Sequence, residues 1–202
     1  MVYTTISTHI TDLYGLLDEI SRFMKILDRE EIIKYLEKAL KNLDEDKECF
    51  EDPYRYYYIK LRIIESLAKL EPSKAEKMIG ELSKEVEEAE PYGYSTFYIP
   101  ASDTYIGASD IISIYMTMVK IMSVINPNKS KAVIEKVIKL LESVDEEELE
   151  ELLAEPIGAC RKLDPRNQKT IIKEILKLTN KIKNENRKVK ILNEILYQFL
   201  GD

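Results

Sequence analysis

The sequence has few of the residues that enzymes and metal proteins depend on. Its 202 residues include one histidine, two cysteines, six glycines and no tryptophan. Cys49 and Cys160 lack a CxxC spacing and a neighbouring histidine, which excludes a disulfide framework and a zinc motif. His9 stands near the start of the chain, and no nucleophile, phosphate-loop or HExxH pattern accompanies it. We therefore predict no catalytic residue, no metal site and no cofactor.

Long apolar runs are also missing. The most apolar stretch, Ile111 to Ile125, is interrupted by Ser113, Thr117, Lys120 and Ser123, whereas a membrane span requires about 20 apolar residues. The first residues have neither the positive cluster nor the apolar block of a secretory signal. We expect a cytoplasmic protein without membrane association. Abundant Lys and Glu with few Cys and Gln are typical of a thermophilic source.

What the sequence does contain is a repeated start signal for helices. At four places an acidic or amide residue followed by proline stands directly before an apolar helical pattern. The side-chain oxygen can accept a bond from the first free amides, and proline at the first helical position loses no bond. The joints are Asp52-Pro53, Glu71-Pro72, Asn126-Pro127 and Asp164-Pro165. The periodicity predicts about nine helices, at 5–26, 29–43, 53–69, 72–89, 108–125, 128–143, 146–162, 165–182 and 185–199.

Three of the joints also share an apolar residue two positions before the proline, namely Leu70, Ile125 and Leu163, at intervals of about one helical hairpin. With Asp52-Pro53-Tyr54-Arg55, this pattern resembles the alpha-alpha superhelix proteins, the tetratricopeptide-like and HEAT-like repeats that include divergent helical repeat proteins of archaea. The resemblance implies an all-α fold, a right-handed stack of antiparallel helical hairpins over one domain, 1–202. It also implies a curved interaction surface.

Two predictions concern single helices. The segment 108–125 has apolar residues on nearly every side, which predicts an element packed on both faces at the centre of the stack. Pro156 lies inside an otherwise helical pattern, where it removes a backbone bond, so we expect it to kink or split the helix, with a break near 155–158.

An aromatic-rich insertion at about 90–107 separates two of the repeats. Residues 91–107 contain no Lys, Arg or Glu. Long loops in compact domains are often functional, and tyrosine is enriched in binding surfaces. We predict a partner-binding site there. Alternatively, the rings pack on the helical core as a lid, which could also cover a small-ligand pocket. The five aromatic residues are Tyr92, Tyr94, Phe97, Tyr98 and Tyr105.

The charge distribution suggests a second surface. Residues 161–190 carry 11 basic and 3 acidic side chains, although the whole chain has a net charge of −7. Four lysines recur at four-residue spacing on one predicted helix, where they could meet phosphates or an acidic partner. The alternative is an ordinary solvated helix face. The predicted anion or acidic-partner surface comprises Arg166, Lys169, Lys173, Lys177, Lys181 and Arg187.

Two further clusters have structural interpretations. The acids of 145–151 crowd a predicted first helical turn, where they complement the helix dipole, although a few carboxylates could hold a weak cation. The tyrosines of 54–58, near Lys60, fit an apolar core stripe before they suggest a site.

These patterns favour a protein-protein interaction scaffold or adaptor without catalytic activity. Its partner is expected to be another protein or peptide. One alternative is a helical repeat protein that binds nucleic acid through its basic C-terminal repeat. Another is a small-ligand-binding protein with its pocket under the 90–107 segment. The last predicted helix, with Leu192 and Leu196, is expected to cap the stack or to form a homodimer interface.

Overall fold

The computed structural model describes residues 28–50, 52–91, 96–100, 103–161, 163 and 165–200. The helix predicted over 5–26 lies outside these residues, as do His9, Tyr92 and Tyr94. The chain divides into two compact units, residues 1–78 and 79–202.

The described chain is predominantly helical, as the all-α prediction requires, and adds one small sheet. The helices are α1 (Arg29–Glu45), α2 (Pro53–Ala68), α3 (Pro72–Glu87), α4 (Ala108–Ile125), α5 (Pro127–Leu141), α6 (Glu146–Cys160), α7 (Pro165–Thr179) and α8 (Glu185–Leu200), with a 3₁₀ turn at Lys47–Cys49. The strands are β1 (Glu90–Pro91), β2 (Thr96–Ile99) and β3 (Thr104–Gly107).

Proline begins a helix at each joint, but the side-chain cap predicted for Asn126 is not formed at the start of α5. Helices α2, α3, α5 and α7 begin at Pro53, Pro72, Pro127 and Pro165. Before α2, Asp52 accepts a 3.0 Å bond from the Tyr54 amide, as expected of a residue that caps a helix start. All the predicted boundaries of the described helices agree with the structure to within three residues.

In the first unit, α1 and α2 pack against each other. Their apolar stripes supply a core in which Leu36, Leu43, Ile59, Leu61 and Ile64 are almost fully buried. Arg29 donates a 2.6 Å bond to the Leu70 carbonyl, and Lys74 bonds to Glu37. These polar contacts join the start of α1, the end of α2 and the start of α3.

In the second unit, helices α4 to α8 each contact the next helix and the next but one. Helix α4 has the greatest burial, since nine of its side chains are buried, and it contacts α5, α6 and β3. Its 18 residues are long and apolar enough to cross a membrane by length and composition alone. The core helix of a soluble protein passes the same test.

The break predicted near 155–158 is wrong, because α6 continues through Pro156 to Cys160. Proline within a helix costs one hydrogen bond and a steric clash. In α6 this cost is offset by packing, since Leu153, Pro156, Ile157 and Cys160 are all buried where α6 meets its neighbours.

The insertion at 90–107 is also not a plain loop. Its strands form an antiparallel sheet in the order β1-β2-β3. Thr96, Phe97, Tyr98 and Ile99 alternate between partly exposed and buried, the two-residue period of a strand with one covered face. No strand was predicted for this segment, and the strands are the main correction to the predicted fold.

Candidate partner-binding surface

The sheet is attached to the helical core at both ends. Before β1, Lys136 of α5 donates to Glu87 at 2.6 Å and to the Ser83 hydroxyl at 3.0 Å, which holds the last turns of α3. The Tyr115 hydroxyl of α4 donates a 3.4 Å bond to the Ser83 carbonyl, and burial raises the pKa of Tyr115. After β3, the chain enters α4 directly, with Gly107 as the residue before the helix. The sheet therefore lies between two anchored helices.

One side of the sheet belongs to the core. Phe97, Ile99 and Ile106 are each at most 3% exposed, and β3 contacts α4. Phe97 is thus removed from the predicted partner-binding residues, because an alternating strand directs every second side chain inward and Phe97 is on the inward set. For this ring the structure shows the burial that the alternative prediction expected.

The opposite side carries two tyrosines in contact. Tyr98 and Tyr105 are directly paired across β2 and β3, and directly paired residues share a face of the sheet. Their ring centroids are 5.3 Å apart with planes inclined by 46°. Tyr105 is 55% exposed, so this pair presents aromatic surface to solvent.

Two carboxylates flank the rings. Glu90 of β1 pairs with Tyr98 on the side away from Tyr105, which places Glu90, Tyr98 and Tyr105 in one row across three strands. Asp103, in the turn between β2 and β3, accepts a 2.9 Å bond from the Tyr98 hydroxyl. We call Glu90, Tyr98, Asp103 and Tyr105 the tyrosine face.

The turn explains the position of the Asp103 carboxylate. The Asp103 amide donates to the Pro100 carbonyl at 3.3 Å, and its φ of 50° lies in the left-handed region. Aspartate tolerates that region better than most residues with a Cβ. The hydrogen bond to Asp103 raises the pKa of Tyr98, with smaller contributions from desolvation and nearby negative charge. Tyr98 is therefore a neutral hydrogen-bond donor across the physiological pH range.

The predicted basic surface is only partly available. Lys169, Lys173, Lys177 and Lys181 are exposed, and Lys177 forms a 2.8 Å ion pair with Glu174. Arg187 lies 3.5 Å from Glu150 of α6, so its charge is already paired. Arg166 lies in the first turn of α7, and its side chain is outside the described atoms.

The acidic run 145–151 contributes to packing of the second unit. The Glu146 carboxylate accepts bonds from the amides of Lys183 (2.5 Å) and Asn184 (3.0 Å), just before α8. These amides, Asn184 first, lower the pKa of Glu146. Glu150 accepts from Lys190 at 2.5 Å as well as pairing with Arg187. The acids thus attach α6 to the start of α8, which the dipole interpretation alone did not predict.

The tyrosine-rich start of α2 forms a separate polar cluster in the first unit. The Tyr56 hydroxyl donates to Asp44 at 2.6 Å, and Lys60 donates to the same carboxylate at 2.7 Å and to Tyr56 at 2.8 Å. The Lys47 ammonium lies 5.1 Å from the centre of the Tyr56 ring. The bonds of Tyr56 and Lys60 to Asp44 join α2 to α1. Tyr56 is 3% exposed, so its ring offers little surface to a ligand.

The described residues contain no group of three or more His, Cys, Asp or Glu that could hold a metal ion. Cys160 is buried, and burial raises the pKa of its thiol to about 12, so it is not an activated nucleophile. Of the five rings predicted to form a partner-binding site, Tyr98 and Tyr105 lie together on one face of the sheet, beside Glu90 and Asp103, which the sequence pattern did not indicate.

Comparison with protein-family models, with curated proteins and with solved structures finds no match. The class that the structure defines is a predominantly helical protein with a small antiparallel sheet, one face of which carries the exposed Tyr105 beside the partly exposed Tyr98.

Proposed function

We propose that this chain is a non-catalytic protein-interaction scaffold that binds a protein or peptide partner through the tyrosine face. The observation that carries the proposal is the contact between the exposed Tyr105 and the partly exposed Tyr98 above a buried layer. Tyrosine gives large contact area with few rotatable bonds and a hydroxyl for orientation, which suits it to binding surfaces.

Preorganisation of the rings supports the same function. The Asp103 carboxylate restrains the Tyr98 hydroxyl, and Tyr98 contacts Tyr105. A partner that binds rings already held in place loses less conformational entropy than one that must order them. An anchored strand pair is therefore a better platform for the rings than a mobile loop.

We also propose that the helices of the second unit are a right-handed stack of helical hairpins. The contacts of each helix from α4 to α8 with its next and next-but-one neighbour support this arrangement. In repeat proteins each unit contacts only its neighbours, and the resulting surface serves for binding. The tyrosine face would then project from one end of the stack, before α4.

The test is capture of partners from extracts of the source organism with a tagged full chain, analysed by mass spectrometry after nuclease treatment. Tyr98→Ser with Tyr105→Ser is compared with Tyr35→Ser, a matched control because Tyr35 is 54% exposed and Tyr105 is 55% exposed. We expect a partner that survives nuclease to be retained by the wild type and the control and lost from the double variant. Circular dichroism checks that all variants are folded. Equal retention by the folded double variant would exclude the tyrosine face as the binding site.

Nucleic-acid binding through α7 is the second candidate. It is favoured by Lys169, Lys173 and Lys181, which are exposed and form no ion pair with another described residue. Phosphate contacts release counterions, so affinity should fall steeply with salt. Replacement of the three lysines by Gln should abolish low-salt binding to a duplex or single strand in a gel-shift assay. An absence of binding by the wild type at low salt would exclude this function.

A further inference from the structure

We infer that the tyrosine face binds a cationic, arginine-bearing segment of the partner. This inference rests on the proposed function and specifies the chemistry of its ligand. It follows from the positions of the two carboxylates relative to the two rings, and from the charge of the surrounding chain.

Three side chains of the tyrosine face form a row across the sheet. Glu90, Tyr98 and Tyr105 occupy directly paired positions on β1, β2 and β3. Neighbouring strands lie about 4.8 Å apart, so the row is roughly 10 Å wide. That width suits one extended segment, with a carboxylate at one end of the row and an exposed ring at the other.

The segment that includes the tyrosine face is negatively charged. Residues 85–107 contain five acidic residues and no Lys or Arg. Glu87, in helix α3, is paired with Lys136. Glu90 is exposed, and Asp103 uses its Oδ1 atom for the bond from Tyr98. Two carboxylates, Glu90 and Asp103, therefore lie beside the rings, and this segment supplies no Lys or Arg to neutralise them.

Tyrosine rings and carboxylates both attract cations. The π-face of a tyrosine attracts a cation, and a flat guanidinium can stack on the ring while its N–H groups reach a nearby carboxylate. Carboxylates accept charge-assisted bonds from such donors. An acidic or phosphate-bearing ligand would be repelled by Glu90 and Asp103. A purely apolar ligand would partly desolvate both carboxylates and give neither of them a new hydrogen bond.

The test uses a short fluorescein-labelled peptide of alternating glycine and arginine, titrated with the full chain and followed by fluorescence anisotropy. The same peptide with lysine, or with neutral citrulline, in place of arginine provides the comparison. We expect the affinity to decrease from the arginine peptide to the lysine peptide, and the citrulline peptide to bind very weakly. Tyr105→Ser should weaken arginine-peptide binding by about twofold to fivefold, the usual range for an exposed cation–π contact.

The charge requirement has a matched control. Glu90→Gln with Asp103→Asn removes two negative charges at the tyrosine face, and Glu147→Gln with Glu148→Gln removes two from exposed positions of α6. The first pair should weaken binding by about fivefold, as expected for two exposed ion pairs, whereas the second pair should have little effect. Asn at position 103 keeps an acceptor for Tyr98 and tolerates the left-handed backbone. Equal weakening by both pairs would show general charge attraction and overturn the inference.

The partner captured from extracts separates this inference from the proposed function. If the tyrosine double variant loses the partner and the Glu90→Gln/Asp103→Asn variant keeps it fully, the interaction site stands and the cationic ligand is wrong. If the tyrosine variant keeps the partner, both are wrong. Light scattering could instead find that the wild type is a dimer and that the Glu90→Gln/Asp103→Asn variant is a monomer. In that case the basic residues of a second copy occupy the tyrosine face, and the inference of a separate cationic partner is wrong.

Discussion

The Tyr98 hydroxyl donates a 2.9 Å hydrogen bond to the carboxylate of Asp103, whose own backbone has a φ of 50°. The bond spans the turn between β2 and β3. One aspartate therefore supplies both the left-handed backbone of the turn and the acceptor that restrains the partly exposed ring of Tyr98. The shape of the turn and the orientation of the tyrosine face are coupled through this residue.

Asp103→Asn should lower the pKa of Tyr98 toward the usual value of a tyrosine. The substitution replaces the charge-assisted hydrogen bond to Asp103, the main cause of the raised pKa, by a weaker neutral bond, and it removes the smaller Coulombic contribution of the carboxylate. Titration of the tyrosine ring carbons by NMR, with Tyr98→Phe to assign the signal, measures the change. Glu147→Gln is the control for a general loss of negative charge. An unchanged Tyr98 pKa in Asp103→Asn would contradict the assigned cause.

Alkaline pH should destabilise the wild type relative to Tyr98→Phe. The pKa of Tyr98 is raised in the folded state, so its contribution to stability is fully present below the unfolded value of about 10. That contribution is lost as pH rises through the folded pKa. Thermal unfolding of both proteins at neutral and alkaline pH should show a wild-type advantage that shrinks at high pH. A constant difference would argue against the linkage.

Ser130→Ala should raise the free energy of unfolding by about 1 kcal/mol, because it removes a buried hydroxyl and improves helix propensity. Ser130 is 0% exposed, and its hydroxyl forms no hydrogen bond within the described part of the chain. Ala75 holds the equivalent place three residues after Pro72 and is also 0% exposed. Chemical denaturation measures the change.

The reverse substitution tests the same argument. Ala75→Ser should destabilise the chain by about 1 kcal/mol, while Ser73→Ala, at an exposed position of the same joint, should change little. If Ser130→Ala is destabilising, the hydroxyl has a structural role that its surroundings do not indicate.

Glu146→Gln should reduce stability at neutral pH and have little effect at acidic pH. The two amides before α8 lower the folded-state pKa of Glu146, so its contribution is present above the unfolded value of about 4.3 and is lost as pH falls through the folded value. Melting temperatures of wild type and variant should converge on acidification. Glu147→Gln, at an exposed position of the same turn, is the control. A pH-independent difference would mean that the charge of Glu146 is not responsible.

Tyr56→Phe should cost about 1 kcal/mol of stability, because Lys60 loses an acceptor and Asp44 loses a donor in a partly buried cluster. The Lys60 side chain is 15% exposed, so water replaces the lost bond poorly. Tyr58→Phe, two residues along at a half-buried position, should change stability much less. Urea denaturation of both variants distinguishes the outcomes. Equal effects would show that the cluster around Tyr56 is not stabilising.

The helices could be predicted because their signals are local. Proline at the first position and apolar residues at helical spacing act within a few residues of each other, as at Asp52-Pro53 and Asn126-Pro127. Pro156 shows the limit of such signals. Its neighbours Leu153 and Ile157 are buried against other helices, and that packing offsets a cost that acts within a single turn.

The candidate site was only half predictable for the same reason. Composition predicted a binding site at the rings near 90–107, but it did not indicate which rings are buried. Phe97 is 1% exposed and Tyr105 is 55% exposed. The assignment of sides depends on strand pairing, in which Tyr98 meets Tyr105 on one face and Glu90 joins the row.

Local sequence thus determined where the helices of this chain begin and end. Strand register and helix packing decided which charges are neutralised and which rings face solvent. Glu150 binds Arg187 and Lys190 from α8, nearly 40 residues later, and Glu146 binds the amides before that helix. Burial, ion pairing and the exposed side of a strand are properties of contacts between distant residues, which form only when the chain is folded.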